Sequence, residues 1–319
     1  MHRPRVPCRR EAEGVRGSRY RAPVTAGVLV LDKPGGITSF DAVRAVGAIL
    51  RERKCGHAGT LDPMATGVLP VCVGAATKIA GYLVEEEKEY EAEFALGVST
   101  DTGDATGKPT EERPGATASE PEVAAAVSGL VGTFPQVPPA YSAVKVGGVR
   151  SYALARKGKE VPLPPRTVTV REARLLSWTP GGFRAHIACS KGFYVRALPR
   201  DLGERLGVPM TVAGLRRIRV GDFRIGDAVT LEGLRELAAR GAASGALIPI
   251  AKALSGMPHR VVPDEAVPAV RNGRLSGEWL VRLAAEVREE TALLVTREGE
   301  PLSIVGRGST GIWKILRGM

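Results

Sequence analysis

The alternation of hydrophobic and polar positions changes period repeatedly along the chain, and each change marks an element. Residues 27–31 (G-V-L-V-L) form a continuous apolar run, which predicts a buried strand. A turn follows at 32–36. Ser39 then caps a predicted helix to about residue 50, with Val43, Val46, Ile49 and Leu50 on one face. The run 68–73 predicts a second buried strand, and 75–84 a helix. Residues 88–97 alternate so that Tyr90, Ala92, Phe94 and Leu96 share one face, the signature of a half-buried strand. Residues 99–110 are polar and Gly-rich, and 121–131 form an amphipathic helix. Two strands, 166–178 and 182–189, flank a Pro-Gly-Gly turn. A helix at 193–206, a strand at 211–223 carrying Arg216, Arg217 and Arg219, and a helix at 230–240 complete the body. Such irregular alternation with hairpin-like pairs predicts an α+β fold: a mixed, largely antiparallel central sheet with flanking helices, not a doubly wound sheet.

The texture changes after residue 255. Between 258 and 319, short β-like runs (W-L-V-R-L, A-L-L-V-T, L-S-I-V-G, I-W-K-I-L) are separated by Gly and charged turns, which predicts a small C-terminal β-barrel-like unit. At the other end, residues 1–25 lack apolar periodicity and are expected to form a disordered basic arm. The 319 residues thus divide into the arm, a large domain over 26–255 and a small one over 258–319.

Charge adds a partner class. The net charge is +11, which favours a polyanion and steers its approach. Residues 1–25 hold seven Arg against two Glu, whereas 258–319 are nearly balanced, with nine Lys and Arg against eight Asp and Glu. The four cysteines, Cys8, Cys55, Cys72 and Cys189, lack metal-ligand spacing. No apolar run reaches membrane-spanning length, and no secretory h-region follows the basic start. A reduced, cytoplasmic protein without structural metal is expected. The Asp/Gly turns of 99–110 suggest calcium, but they lack the bidentate Glu that closes an EF-hand loop.

Candidate chemistry centres on residues 56–70, G-H-A-G-T-L-D-P-M-A-T-G-V-L-P. Pro63 removes a backbone donor and biases Asp62 toward an extended conformation. One carboxylate is thereby presented on a stiffened turn, with the His57 imidazole five residues before it. An isolated Asp-Pro pair is ordinarily just a turn; the length of the motif sets this one apart.

This loop resembles the active-site motif of the TruB-type pseudouridine synthases, which act on the T-loop of tRNA. Further motifs follow in the order of that family. They are Leu31-Asp32-Lys33-Pro34 with Gly36 and Ser39, Lys88-Glu89-Tyr90, Ser190-Lys191-Gly192-Phe193-Tyr194-Val195-Arg196, and Leu215-Arg216-Arg217. The resemblance covers roughly residues 26–255. It implies isomerisation of a uridine at position 55 of tRNA, with the C1′–N1 bond broken and C5 joined to C1′. No electrons or groups are gained, so no cofactor is implied, in keeping with the lack of a P-loop or dinucleotide fingerprint. The resemblance makes Asp62 the essential acid, paired with Arg196, and Tyr90 the ring that stacks on the flipped uracil and helps remove its C5 proton. Tyr194 and Leu215 form an apolar wall, Lys33 supports the loop, and His57 braces the space left by the extruded base. Lys78 is either a phosphate contact or a solvated helix lysine, and Asp101 and Asp104 are rim residues. Residues 134–161, with Lys145, Gly147-Gly148, Arg150, Arg156, Lys157 and Lys159, resemble a mobile insertion that closes over RNA. Residues 258–319 stand where the family carries an RNA-binding PUA domain. The implied partner is tRNA, with no membrane and no obligatory protein partner, and the protein is expected to be a monomer. Two other readings stay open: the RNA-guided relative that works inside a ribonucleoprotein, and a non-catalytic tRNA-binding or folding protein.

Overall fold

A computed structural model describes residues 26–142, 144–146, 148–155, 162–308 and 310–319. The expected arm at 1–25 lies outside the described residues, as do residues 156–161 of the insertion and Gly147. In chain order the first half comprises β1 (Gly27–Lys33), α1 (Ser39–Leu50), β2 (Cys55–His57), β3 (Thr66–Val73), α2 (Ala80–Val84), β4 (Lys88–Leu96), β5 (Val98–Thr100), β6 (Pro109–Glu112), α3 (Glu120–Ser128) and β7 (Gly132–Gln136). A two-stranded hairpin, β8 (Lys145–Val146) and β9 (Val149–Arg150), leads into α4 (Ser151–Ala155). Then come β10 (Arg166–Thr179), β11 (Gly182–Cys189), α5 (Leu198–Leu206), β12 (Met210–Val220), β13 (Phe223–Arg224), α6 (Leu231–Ala239), β14 (Leu247–Ile248) and α7 (Ile250–Ala253). The C-terminal unit holds β15 (His259–Val261), α8 (Val267–Arg271), α9 (Gly277–Glu286), β16 (Thr291–Val295), β17 (Pro301–Arg307) and β18 (Trp313–Gly318). Gly74–Ile79 and Val195–Ala197 are 3-10 turns.

The large sheet runs β14-β1-β3-β12-β4-β11-β10-β7, with β2 beside β3 and β13 beside β12. Its neighbours are antiparallel except at one place: β12 meets β3 in parallel, Arg216 opposite Thr66 and Arg217 opposite Gly67. Gly67 has φ +100°, and a Cβ there would run into the Arg217 carbonyl oxygen, so only glycine permits this approach. The alternation read in β4 sorts its two faces. Tyr90, Ala92 and Phe94 are buried, and Phe94 stacks on Phe183 of β11, its register partner, with ring centroids 4.7 Å apart.

Hydrophobic side chains form a core on each face of the sheet. On one face Val43, Val46 and Leu50 of α1, Val123 and Val127 of α3, Leu198 and Leu202 of α5 and Leu234 of α6 pack against the strands. On the other, Val28, Val30, Cys72, Ile79 and Leu83 pack with Leu293, Val295 and Ile304 of the C-terminal sheet. The fold is therefore the expected α+β type, with a mostly antiparallel central sheet and a small C-terminal sheet ordered β15-β16-β17-β18.

Three local expectations change. The run W-L-V-R-L, read as a strand, lies inside α9. A strand would align Trp279, Val281 and Leu283 on one face; instead Trp279 and Leu283 are buried and Val281 is 71% exposed, the i, i+4 pairing of a helix. Ser276 caps it, its hydroxyl accepting from the Trp279 N–H. The cap of α1 is Thr38, not Ser39: the Thr38 side chain accepts from the Asp41 N–H at 3.1 Å. The helix expected from Phe193 begins at Leu198, because Tyr194 is extended (φ −119°, ψ 109°) before the 3-10 turn.

Candidate active site

The loop carrying Asp62 joins β2 to β3, and side chains from three other elements hold its backbone. From α1, the buried Ser39 hydroxyl accepts from the Leu61 N–H (2.8 Å) and donates to the Leu61 carbonyl (3.0 Å). From β1, Lys33 Nζ donates to the carbonyls of Pro34 (2.7 Å), Ile37 (2.8 Å) and Pro63 (3.3 Å). From β12, the Arg217 guanidinium donates to the carbonyls of Val68 (2.8 Å), Gly59 (3.1 Å) and Thr60 (3.3 Å). Backbone carbonyls on both sides of Asp62 are thus satisfied by fixed donors, so the carboxylate inherits the rigidity of the sheet. Ser39→Ala removes both bonds to Leu61. It is expected to lower stability by about 1–3 kcal/mol, because the Leu61 amide and carbonyl are left without these partners; thermal unfolding measures this.

Asp62 faces Arg196 in a two-pronged ion pair. Arg196 Nε donates to Oδ2 at 2.7 Å and Nη2 to Oδ1 at 2.9 Å. The same guanidinium donates from Nη1 to the Thr102 carbonyl (2.9 Å) and from Nη2 to the Tyr141 carbonyl (2.7 Å), and stands 3.5 Å from Asp104. Its side chain is only 4% exposed, whereas that of Asp62 is 33% exposed. Arginine thus forms the buried floor, and the acid retains an open side. Burial acts to pull the Arg196 guanidinium down, but the neighbouring Asp62 and Asp104 carboxylates leave it raised, so it stays charged. A lysine in its place would present a single ammonium and lose the fork that fixes the carboxylate plane.

Two aromatic residues belong to the site's surroundings, Tyr90 on β4 and Tyr194 just before the 3-10 turn that carries Arg196. Tyr90 in β4 is the register partner of Arg217 in β12. Burial pushes its phenol up to about 12, so the ring is neutral near pH 7. Tyr194, half-buried two residues before Arg196, is likewise raised by burial. Its main chain is gripped by Gln136, whose amide accepts from the Tyr194 N–H (2.9 Å) and donates to the Tyr194 carbonyl (3.2 Å). Leu215, buried in β12, lies one residue before the parallel junction with β3.

The remaining sequence-derived candidates have different settings. His57 is half-buried in β2, opposite Val71. Lys33 is fully buried against backbone carbonyls. Burial lowers it to about 8, the Asp62 charge opposing that shift; its ammonium donates to the backbone carbonyls of Pro34, Ile37 and Pro63. Asp104 is not on a rim: it is buried, accepting from Thr102 Oγ1 (2.9 Å) and the Thr106 N–H (3.0 Å) and facing Arg196. The preceding Gly103, at φ +72°, packs so closely on the Arg196 carbonyl that a Cβ would collide with it. Lys78 neither points free into solvent nor joins the acid; its ammonium donates to the Gly318 carbonyl of β18 at 2.9 Å. Ser39, Gln136 and Arg217 were not identified as site residues from the sequence. Among the described residues, no group of His, Cys, Asp and Glu is arranged to hold a metal ion, and no helix is long and apolar enough to cross a membrane.

Comparison with known proteins identifies the family. Residues 48–195 match the family model described as TruB family pseudouridylate synthase (N terminal domain), and 196–255 match that of the tRNA pseudouridylate synthase B C-terminal domain. The chain is 45% identical over 253 residues to tRNA pseudouridine synthase B of Bacillus licheniformis, spanning 77% of this chain and 82% of that one. It is 42% identical over 290 residues to the protein of the same name from Geobacillus thermodenitrificans, spanning 87% and 93%. Among solved structures, an archaeal box H/ACA sRNP Nop10-Cbf5 complex shares the fold, with a TM-score of 0.69 at 23% identity over 92% of this chain and 86% of that chain. A Cbf5-Nop10-Gar1 complex aligns with a TM-score of 0.69 at 26% identity, over 90% and 80%.

Proposed function

Since the chain belongs to the TruB family of pseudouridine synthases, and is by that kinship a tRNA pseudouridine synthase, we propose that it isomerises uridine 55 in the T-loop and that Asp62 is the acid on which the reaction turns. The observation that carries this reading is the Asp62–Arg196 pair: a carboxylate fixed at two points on a buried cation, with one-third of its side chain open. Isomerisation requires the uridine to leave its stack, the C1′–N1 bond to break, the uracil to turn, and C5 to replace N1 on C1′. Three routes are open to the carboxylate: attack on C1′, attack on C6, or removal of the C2′ proton. All of them begin from an oxygen held against Arg196 and facing the opening.

The other residues take their roles from position. Tyr90 stacks on the extruded base and helps remove its C5 proton, its phenol relaying rather than keeping it. Tyr194 and Leu215 supply apolar walls, and His57 braces the vacated space in the RNA. Residues 134–161 contact the RNA as an insertion, and 258–319 form a PUA-like RNA-binding unit. The purified chain, incubated with unmodified tRNA and no guide RNA or second protein, is expected to yield pseudouridine at position 55. Product that appears only with a guide RNA favours the ribonucleoprotein form, and binding without product favours a folding protein. Tyr90→Phe is expected to leave tRNA affinity intact and lower turnover about 100-fold, the lower range for loss of one acid–base group. Turnover at the wild-type rate would assign the ring to stacking alone.

A further inference from the structure

The site is joined to the insertion through a short described segment, residues 136–142. Gln136 ends β7, the last strand of the large sheet on that side. Its side chain is buried, yet it is spent entirely on the backbone of one residue, Tyr194, through the two bonds of 2.9 and 3.2 Å. Next along the segment, the Val137 carbonyl accepts from Arg200 Nη2 at 3.2 Å. The Ala140 carbonyl accepts from the hydroxyl of Ser151, a fully buried residue at the start of α4. The Tyr141 carbonyl accepts from Arg196 Nη2 at 2.7 Å, the same nitrogen that donates to Asp62 Oδ1. The Ser142 carbonyl accepts from the Tyr152 N–H at 3.1 Å.

One strand of chain therefore bonds, within seven residues, to Tyr194, to Arg196 and to the first turn of α4. A buried amide that makes two bonds to a single main chain fixes position like a rung of sheet pairing. Moving 136–142 by a fraction of an ångström alters the direction in which Nη2 is shared between Tyr141 and Asp62. Rotating a bidentate pair away from its productive plane is the kind of small misplacement that costs up to about 100-fold in rate.

We infer that Gln136 is a positioning residue, and that the segment it anchors couples the placement of residues 148–155 to the orientation of the Asp62–Arg196 pair. The inference rests on the proposed reaction and on the insertion contacting RNA. Contact with RNA beyond the target nucleotide is thereby converted into rate at the acid, rather than into affinity alone.

Two variants test it. Gln136→Met keeps length and apolar stem but loses both bonds to Tyr194; Ser151→Ala releases the Ala140 carbonyl at the far end of the segment. Single-turnover rates at saturating tRNA and tRNA dissociation constants are measured on the full chain, with the folded fraction checked by circular dichroism. Gln136→Met is expected to slow the rate at saturation about 10- to 100-fold, and Ser151→Ala to slow it in the same sense, with affinity changed less than about threefold. Wild-type rates at saturating tRNA in both variants overturn the inference, whatever their affinity. Should the wild-type chain itself produce no pseudouridine, the proposed function fails, and that outcome is distinct from the failure of Gln136 alone.

Discussion

Asp62→Asn yields no measurable pseudouridine: turnover falls by at least about 1,000-fold, as for removal of a reacting group held in place by its partners, while tRNA affinity stays within about threefold. The substitution is nearly isosteric, so the loop keeps its brackets from Ser39, Lys33 and Arg217, none of which bonds the Asp62 side chain. What changes is the face toward Arg196. An amide offers one acceptor oxygen where the carboxylate offers two, and its NH2 group cannot accept from a guanidinium N–H. Removing one partner of a buried ion pair commonly costs about 3–5 kcal/mol. Here the cost is expected to be smaller, because Arg196 keeps the Thr102 and Tyr141 carbonyls and the Asp104 charge at 3.5 Å. Activity and stability are thus expected to separate. Product mapping on tRNA, beside a binding isotherm and a thermal melt, reads all three quantities. Turnover retained in Asp62→Asn removes Asp62 from the chemistry.

What the sequence made legible follows a physical line. Apolar runs and strict alternation encode which face is buried, so β1, β3, β4, β10 and β11 were readable within a few residues. The run at 279–283 reads as a strand because five residues with four apolar positions fit either period. The deciding facts, a Ser276 cap and an exposed Val281, are read from coordinates. At the site, the residues found were those embedded in long local motifs: Asp62, Tyr90, Tyr194 and Arg196. Gln136 lies in no motif, and Ser39 and Arg217, though inside quoted motifs, take no site role from them; all three act across the chain. Ser39 meets Leu61 over 22 residues, Gln136 meets Tyr194 over 58, and Arg217 meets Gly59 over 158. A serine before an apolar helix face looks like a cap, and an arginine in a strand looks like a surface charge. Nothing local distinguishes either from the buried donor it becomes. Asp104 illustrates the reverse error: a polar, Gly-rich segment implies exposure, yet here the Asp104 side chain folds inward on Thr102 and Thr106 to face Arg196.

Arg217→Met is expected to be the most destabilising single change at the site, at about 3–5 kcal/mol, with a fall in melting temperature of roughly 10 °C. The thioether side chain refills most of the space, so the loss is one of donors and not of packing. The Gly59, Thr60 and Val68 carbonyls lose their side-chain partners together, and an unsatisfied buried acceptor costs about 1–3 kcal/mol. Removing a buried charge returns part of this total, which keeps the expectation below the sum of three. Arg217→Lys recovers little, because one ammonium cannot span acceptors that a planar fork reaches from three nitrogens. A second signature follows from linkage. In the wild type, Lys33 is lowered to about 8 by burial first and by the Arg217 charge in part, and Lys88 likewise. A lysine whose folded value lies below its unfolded value binds fewer protons folded than unfolded between about 8 and 10.5, so stability climbs with pH across that window. Without Arg217 both lysines move toward their ordinary value, and the alkaline climb shrinks. Urea unfolding of both proteins at pH 7.5 and at pH 9.5 distinguishes the outcomes. A variant as stable as the wild type, with an unchanged alkaline slope, would remove Arg217 from its place as the brace of the Asp62 loop.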